Sequence, residues 1–513
     1  MNLWQSILGF FGSSGDAAPQ ASAKTAYKGA EINGIWKPWQ PTHRSGDTAI
    51  YEDQDMLSRR MRDLFRNDAL MKKLKRELCK HVIGAHGVQT FADVLMPDGP
   101  PGERDTDDAF NFEADELFQR WSEEEADAEG KFSWAHLQWQ HFSEALARGG
   151  SLLLEVSDDN PKRSVPLCYQ LLEYEQLDVS KDRPATDGSN RIVNGIEFDR
   201  RNRPVAYYIY GVHPYDNFSG GSLDSVRVPA SRVIHTYFPD RPSENIGVTL
   251  FTANVQSARD LDWYLGNELT AAALGALLTM VVKREFGVGS GLGFMGADPN
   301  DSTDKHGNSQ VRLGPGIVAD IGKDDSVEIA ESNRPNRDAK PFIDLIMRQA
   351  GQASGLSRGR VTGDYAQTSY SSARAEHLDD QAYFAVLQNW CARSFVVPVR
   401  RRHTEVCAAF DRYTSISARQ FANRQWDMQR LRVKGIGREQ LDPEKETQAA
   451  MERIRSGLSD WEHECALRGL DWRRVALNQK RQKAFFEKHG LEFDLSASGK
   501  PKEVPAEEGA ASE

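Results

Sequence analysis

Cysteine, excess positive charge and long apolar runs are all scarce here, and each scarcity excludes a class of protein. The 513 residues hold 5 cysteines (Cys79, Cys168, Cys391, Cys407, Cys465), none in a Cys-x-x-Cys pair. A disulfide framework is therefore unsupported, and free, packed thiols in a reducing compartment are expected. The longest apolar run, residues 269–282, is interrupted by Thr270, Gly275 and Thr279. It falls short of the roughly 20 residues that cross a bilayer, so a soluble chain without a membrane partner is expected. Met1 to Phe11 are apolar without a basic segment and read as a short docking arm, not a signal peptide. A formal net charge of −11 excludes a chain that wraps DNA as a polycation. Any contact with DNA must be local, or the surface acts as a repelling wall.

Catalytic patterns are lacking too. Gly291-Leu292-Gly293-Phe294-Met295-Gly296 has G-x-G-x-x-G spacing, but it follows a helical pattern and runs into Ala297-Asp298-Pro299-Asn300. A dinucleotide loop must follow a strand and open a helix, so this segment reads as a turn. No G-x-x-x-x-G-K-[ST] phosphate cradle is present. His463-Glu464 begins a zinc-helix motif, but Leu467 stands where the second ligand belongs, and His136 and His141 are badly spaced for one helix face. Asp105, Asp107 and Asp108 read as a solvated acidic turn, and Asp298 to Asp304 lacks the glycine and terminal glutamate of a calcium loop. No cofactor, no metal and no enzymatic activity are expected.

What is present is mainly helical. Leu57, Met61, Leu64 and Phe65, then Leu70, Leu74, Leu78 and Val82, recur at helical steps from near Asp53 until Gly84 and Gly87. The acidic block 103–130 reads as a solvated helix with Phe112, Leu117, Phe118 and Trp121 on its apolar face, and 132–147 as another helix. Residues 165–240 switch to strand patterning with turns at Asp187-Gly188 and Arg201-Asn202, an antiparallel β-rich unit. Ala258, Leu261, Leu265, Leu269, Ala272, Ala276 and Met280 then mark a rod of roughly 28 residues, or about 40 Å. A shorter helix, 341–353, carries Phe342, Leu345 and Ile346 on one face and stops at Gly355. The fifty residues between the two read as a small inserted domain. After them a helix bearing Phe384, Leu387, Cys391 and Phe395, widened by Tyr383, Val386 and Trp390, should be buried on more than one side and kinked or ended by Pro398. Arg400-Arg401-Arg402 reads as a solvated helix end, and 446–487 as short helices. The fold class is α+β, mainly helical.

The segment 363–375, Gly-Asp-Tyr-Ala-Gln-Thr-Ser-Tyr-Ser-Ser-Ala-Arg-Ala, carries the most information. It is polar and rich in hydroxyls, with Arg358, Arg360 and Arg374 around Asp364, Gln367, Thr368, Ser371 and Ser372. Arginines and hydroxyls are the usual partners of phosphate, and such contacts carry no base information. So few positive charges imply weak, salt-sensitive contact, suited to a polyanion that must slide. A second reading is compatible with the first: Ser371 or Ser372 caps the next helix while the arginines pair with Glu376 or Asp379.

These pieces lie in an order that resembles the portal proteins of tailed bacteriophages, in particular the lambda-type family, over roughly residues 50–490. Arg62-Asp63-Leu64-Phe65-Arg66-Asn67-Asp68 is similar to the family's first helix. Gly195-Ile196-Glu197-Phe198-Asp199, Arg203-Pro204-Val205-Ala206-Tyr207 and His213-Pro214 resemble its β segment. Val233-Ile234-His235, Pro239-Asp240-Arg241-Pro242 and Gly247-Val248 resemble the hinge before its first long helix. Tyr370-Ser371-Ser372-Ala373-Arg374-Ala375 is the most specific piece, and Leu441-Asp442-Pro443-Glu444-Lys445-Glu446 resembles a late signature. Where the family often carries Gln-x-Arg-Gly, this chain has Ser243-Glu244-Asn245-Ile246-Gly247.

The resemblance implies a portal fold. It comprises a flexible arm (1–48), an α/β wing (49–254), stem helices (255–286 and 338–355), an inserted clip (287–337), a tunnel loop (356–374), a helical wing and crown region (375–490) and a disordered tail (491–513). It implies docking through the clip, where Asp298, Asp301, Asp304 and Arg312 stand. It also implies a ring, dodecameric in assembled heads, at one capsid vertex. The implied partners are other copies of the chain, non-specific double-stranded DNA, the terminase large subunit, adaptor, head-completion and tail proteins, and capsid and scaffold proteins. The implied location is the virion, with the host cytoplasm during assembly. An ATP-dependent or nuclease packaging enzyme and a minor head protein without a channel are the alternatives.

Overall fold

The computed structural model describes residues 38–39, 41–100, 104–186, 188–216, 224–277, 281–283, 294–295, 318–319, 326–328, 339–366, 368–437 and 442–489. The expected arm up to residue 37 and the expected tail from 490 lie outside them.

Helix α1 (Gly46–Asn67) begins before Asp53, because the Ser45 side chain accepts from the Thr48 N–H and caps its first turn. Asp68 then separates it from α2 (Ala69–Val82) and caps that helix through the Met71 N–H. Strand β1 (Gln89–Ala92) follows, then α3 (Asp108–Glu124) and α4 (Trp134–Arg148). The acidic turn before α3 is a cap: Asp107 accepts from the Phe110 N–H. The buried face of α3 carries Phe110, Asn111, Ala114, Phe118 and Trp121, whereas Phe112 is exposed. Of the expected face, Phe118 and Trp121 are buried and Leu117 packs partly against the core, so only Phe112 departs from it.

Gly149 ends α4 in the left-handed region at φ 92°, where a Cβ would come within 2.3 Å of the Val248 backbone. Strands β2 (Gly150–Val156), β3 (Cys168–Leu172), β4 (Arg191–Val193), β5 (Ile196–Phe198), β6 (Pro204–Tyr210), β7 (Ser225–Pro229) and β8 (Val233–Tyr237) build two antiparallel sheets. Their orders are β3-β2-β8 and β4-β5-β6-β7. Leu152 pairs with Leu172 on one side and His235 on the other. Residues from both sheets, among them Leu152, Phe198, Tyr207 and Ile209, share one apolar cluster with Tyr174 of the turn after β3.

Helix α5 (Asn254–Leu277) is the long rod, but it stops short of 286. Val281–Lys283 form β9, consistent with the strand preference of the β-branched run Thr279, Val281 and Val282. Strands β10 (Phe294–Met295), β11 (Val318–Ala319) and β12 (Ser326–Glu328) complete two nested antiparallel pairs, β9 with β12 and β10 with β11. Helix α6 (Ala339–Ser354) returns alongside α5, and the Asn254 amide donates to the Ala350 carbonyl at 2.8 Å.

A short α7 (Arg358–Thr362) leads to α8 (Tyr370–Cys391). Pro398, expected to kink or end this rod, does not end it. The wide π-turn Ala392–Val396 carries α8 into α9 (Val397–Ala409), so the irregular hydrogen bonding falls in the turn just before Pro398, whose ring nitrogen has no N–H to donate back into the helix. Among the described residues one side of α8 is covered: Phe384, Leu387 and Cys391 are buried, Tyr383 and Trp390 pack partly against the core, and Val386 is exposed. Arg400 is also not at a solvated end. It lies within α9 with no exposed surface, donates to Asp115 of α3 at 2.7 Å and stacks on Phe118.

Helices α10 (Ala418–Asn423) and α11 (Gln425–Met428) precede β13 (Leu431–Lys434), which pairs antiparallel with β1. Helices α12 (Pro443–Arg455), α13 (Trp461–Leu467) and α14 (Trp472–Lys488) follow. The main core gathers α1–α4 with α8, the π-turn and α9 around Trp121, Phe142 and Phe395. All five cysteines are buried and unpaired.

Candidate functional site

The 355–370 connection is held far more firmly than its polar sequence suggests. A turn brings Leu356 back onto α6, the Leu356 N–H donating to the Gly351 carbonyl at 2.9 Å. The Ser357 N–H and hydroxyl both donate to Asp380 of α8, at 2.8 and 2.7 Å. Arg358 donates to Asp344 of α6 at 3.0 Å, and Arg348 reaches the same carboxylate at 2.6 Å. The Arg358 hydrogen bond and then that of Arg348 hold the Asp344 carboxyl below its ordinary range. The Gly359 N–H donates to Glu376 at 3.1 Å, and a Cβ at Gly359 would meet the Tyr365 ring at 2.5 Å.

Arg360 goes deepest. Its Nε donates to Asp380 at 2.8 Å, and its two terminal nitrogens lie 2.7 Å from His81 Nε2 and 3.1 Å from His377 Nδ1. Its guanidinium and the His81 ring both lie against Phe384. Arg358 and Arg360 are thus turned into the chain, and their acidic partners are Asp344 and Asp380 in place of Glu376 or Asp379. Ser371 and Ser372 lie inside the first turn of α8, so the tail of the expected loop is helical. The cap is Ser369, whose side chain accepts from the Ser372 N–H at 3.2 Å. Asp364, Ser371, Ser372 and Arg374 are exposed and Thr368 is half-buried. Within the loop, Asp364 accepts from the Ala366 N–H. Gln367 lies outside the described residues.

The apolar stripe on α5 divides along its length. Ala258 and Leu261, near the base, are buried against the body of the chain. Further along, Leu265 and Ala272 are exposed and Leu269 is 72% exposed; Trp263 beside them is 70% exposed. On α6, Phe342 and Leu345 are exposed and Ile346 is half-buried. Tyr264 and Phe342 meet edge to face at 5.0 Å, joining the two helices. The side chain of Ala276 is outside the described residues, as are Asp298, Asp301, Asp304 and Arg312.

Sequence reasoning missed Asp380, His81, His377 and Asp344, all of which hold this connection. The available signal was the position of Asp380, four residues before Phe384 on the apolar stripe of the helix, where an acid needs a buried partner. Elsewhere, Glu173, Glu175 and His213 lie close enough to share a cation, but Arg62 already bridges Glu173, Glu175 and Glu144. Against the upward push of burial, the Arg62 hydrogen bond and the charge of Arg148 hold Glu175 down at about 2. Burial, opposed by Arg62, lifts Glu144 to about 7.

Residues 33–388 match the family described as phage portal protein, lambda family. The chain is 25% identical over 462 residues to the probable portal protein of Halomonas phage phiHAP-1, covering 86% of this chain and 84% of that one. It is 22% identical over 489 residues to the portal protein of Escherichia phage N15, covering 88% of each. It is 21% identical over 486 residues to portal protein B of Escherichia phage lambda, again covering 88% of each. Among solved structures, the neck of a native gene transfer agent particle computed with C12 symmetry aligns at 13% identity and a TM-score of 0.38, over 82% of this chain and 93% of that chain. A portal protein of the HK97 family from Corynebacterium diphtheriae aligns at 11% identity and a TM-score of 0.29, over 72% and 93%. This chain belongs to the lambda family of phage portal proteins.

Proposed function

We propose that copies of this chain assemble into a ring, twelve in the assembled head, that forms the portal vertex of a capsid and the channel for double-stranded DNA. The observation that carries the ring is the bare apolar face of the α5–α6 pair. Trp263, Leu265, Leu269, Phe342 and Leu345 lie on rods whose inner ends are well packed. Several large exposed apolar side chains on one helix pair mark an interaction site. The neighbouring subunit's stem covers it, so the channel wall is rigid only in the assembly.

On this reading α5 and α6 are the stem. The nested pairs β9–β12 and β10–β11 begin the clip, which receives the terminase large subunit and later the adaptor and tail proteins. The loop 363–369 faces the channel. Beside it, at the start of α8, Arg374 and the hydroxyls of Ser371 and Ser372 meet phosphates, sparsely enough for DNA to slide. The role is structural and not enzymatic, exercised in the virion after assembly in the host cytoplasm. Native mass measurement and single-particle imaging of the purified full chain test this. A monomeric mass at micromolar concentration, or particles without an axial hole, would overturn it.

A further inference from the structure

We propose that the outer end of α14 is a second contact for the phosphate backbone of double-stranded DNA, carried by Lys480, Arg481, Lys483 and Lys488. DNA is the polyanion on the channel reading; the basic stripe itself stands on the contacts of one helix.

The chain has a net charge of −11, yet the 17 residues of α14 hold six cations and a single acid, Glu487. At roughly 100° per residue, all six cations fall on one half of the helix circumference. The other half carries no charge, and Val475 and Phe486 on it are half-buried. The two ends of the helix differ. At its start, Arg473 reaches Asp93 at 3.3 Å and Arg474 donates to Gln119 of α3 at 3.4 Å. From Asn478 to His489 every residue except Phe486 is exposed, and no residue of α14 is buried. Among the described residues, Lys480, Arg481, Lys483 and Lys488 have no carboxylate partner. Nearby arginines are engaged: Arg453 donates to Glu464 at 2.8 Å, and Arg432 lies 3.3 Å from both Asp93 and Glu462. Lys480 and Lys483 sit one turn apart as like charges, an arrangement that weakens a helix until an anion offsets it.

The chemistry of the stripe selects its occupant. A protein partner needs an apolar centre to its interface, where lysine is depleted. Among the four cations, the charged half of α14 offers only Ala484. An anionic membrane takes up a free apolar helix face, but Val475 and Phe486 are partly covered by the chain. Phosphates need neither, since charge and counterion release alone hold them and no sequence is read. Lys480 to Lys488 spans about 12 Å of helix. One strand of duplex DNA sets a phosphate about every 3.4 Å along its axis, so about three or four face that length.

Fluorescence anisotropy of the purified full-length protein with a labelled mixed-sequence duplex tests this, between about 50 and 200 mM salt. The variant K480Q/R481Q/K483Q removes three contacts at about 0.9 each, so the slope of log K against log salt should become shallower by about 2 to 3. Affinity at about 100 mM salt should fall at least about tenfold, equally for duplexes of unrelated sequence. A parent that does not bind the duplex, or a variant slope equal to the parent's, overturns the proposal. An effect confined to anionic vesicles or to the mass of the assembly, with DNA affinity unchanged, overturns it too. So does stripe-dependent binding that emerges only once residues 490–513 are removed, which would assign the stripe to that acidic segment. Should the triple variant not fold, R481Q alone must lower the slope by about 0.9, and its failure to do so overturns the proposal equally. Absence of rings in imaging, with the slope change intact, supports the stripe and counts against the channel reading alone.

Discussion

Replacing Arg400 by methionine separates a buried ion pair from ordinary core packing. Arg400 has no exposed surface, donates to Asp115 at 2.7 Å and stacks on Phe118 at 4.4 Å. Methionine refills most of the volume, so the principal loss is the counter-charge of Asp115. Removing one partner of a buried pair costs about 3–5 kcal/mol. Asp115 retains the Ala92 N–H and about a quarter of its side-chain surface, which places the cost near 3 kcal/mol, the low end. At about 2.1 cal/mol/K per residue, cooperative unfolding of 513 residues carries on the order of 1 kcal/mol/K, so the thermal midpoint should fall by about 3 °C. Burial already pushes the Asp115 carboxyl above its ordinary range, against the opposing charge of Arg400. In R400M it rises further, so the deficit should shrink as pH is lowered and the lone carboxylate takes up a proton. D115N/R400M should lie close to D115N, a coupling of about 3 kcal/mol, the whole cost of R400M. A midpoint within half of the expected shift at neutral pH, or a deficit independent of pH, refutes this account of the pair.

Three further outcomes are expected. Substituting Leu269, 72% exposed on α5, by glutamate should leave the circular dichroism of the chain unchanged and convert rings to smaller species on sizing; intact rings would remove α5 from the interface. Burial holds His141 and His235 neutral down to about 3, whereas an unfolded imidazole takes a proton near 6.5. Their contribution is thus complete above about pH 6.5 and lost as pH falls toward 3, about 1.4 kcal/mol per pH unit and site; H141L should lessen the slope of urea stability against pH between 6.5 and 5. Gly149→Ala, at φ 92° and against the Val248 backbone, should lose at least about 2 kcal/mol, read as a lowered urea midpoint.

The elements that periodicity and punctuation announce were legible in the sequence. The α5 rod shows in its 3-4-4 rhythm, and the strand pairs from 191 to 210 show between their turn residues. Boundaries set by one side chain were less so: Ser45 starts α1 early, and Ser369, not Ser371 or Ser372, caps α8. The arginines were misread for a physical reason. Arg360 meets His81 279 residues away and Arg400 meets Asp115 285 residues away. No local pattern distinguishes a guanidinium aimed at solvent from one aimed at a distant carboxylate. Helical spacing likewise showed that 258–272 has one apolar face, but not that its near end packs on its own chain while its far end stays bare.

The pairing of β1 with β13 has a consequence for synthesis. Gln89 and Lys434 are partners across 345 residues. At about 5–20 residues per second, a ribosome needs on the order of tens of seconds to supply the second strand after the first has emerged. Throughout that interval the nascent chain displays an open strand edge beside Phe91, and for most of it α3 lacks the arginine that pairs with Asp115. The stretch from α9 to β13 is therefore not an appendage that a truncation could remove to leave a smaller working unit. It finishes the part of the molecule that is made first.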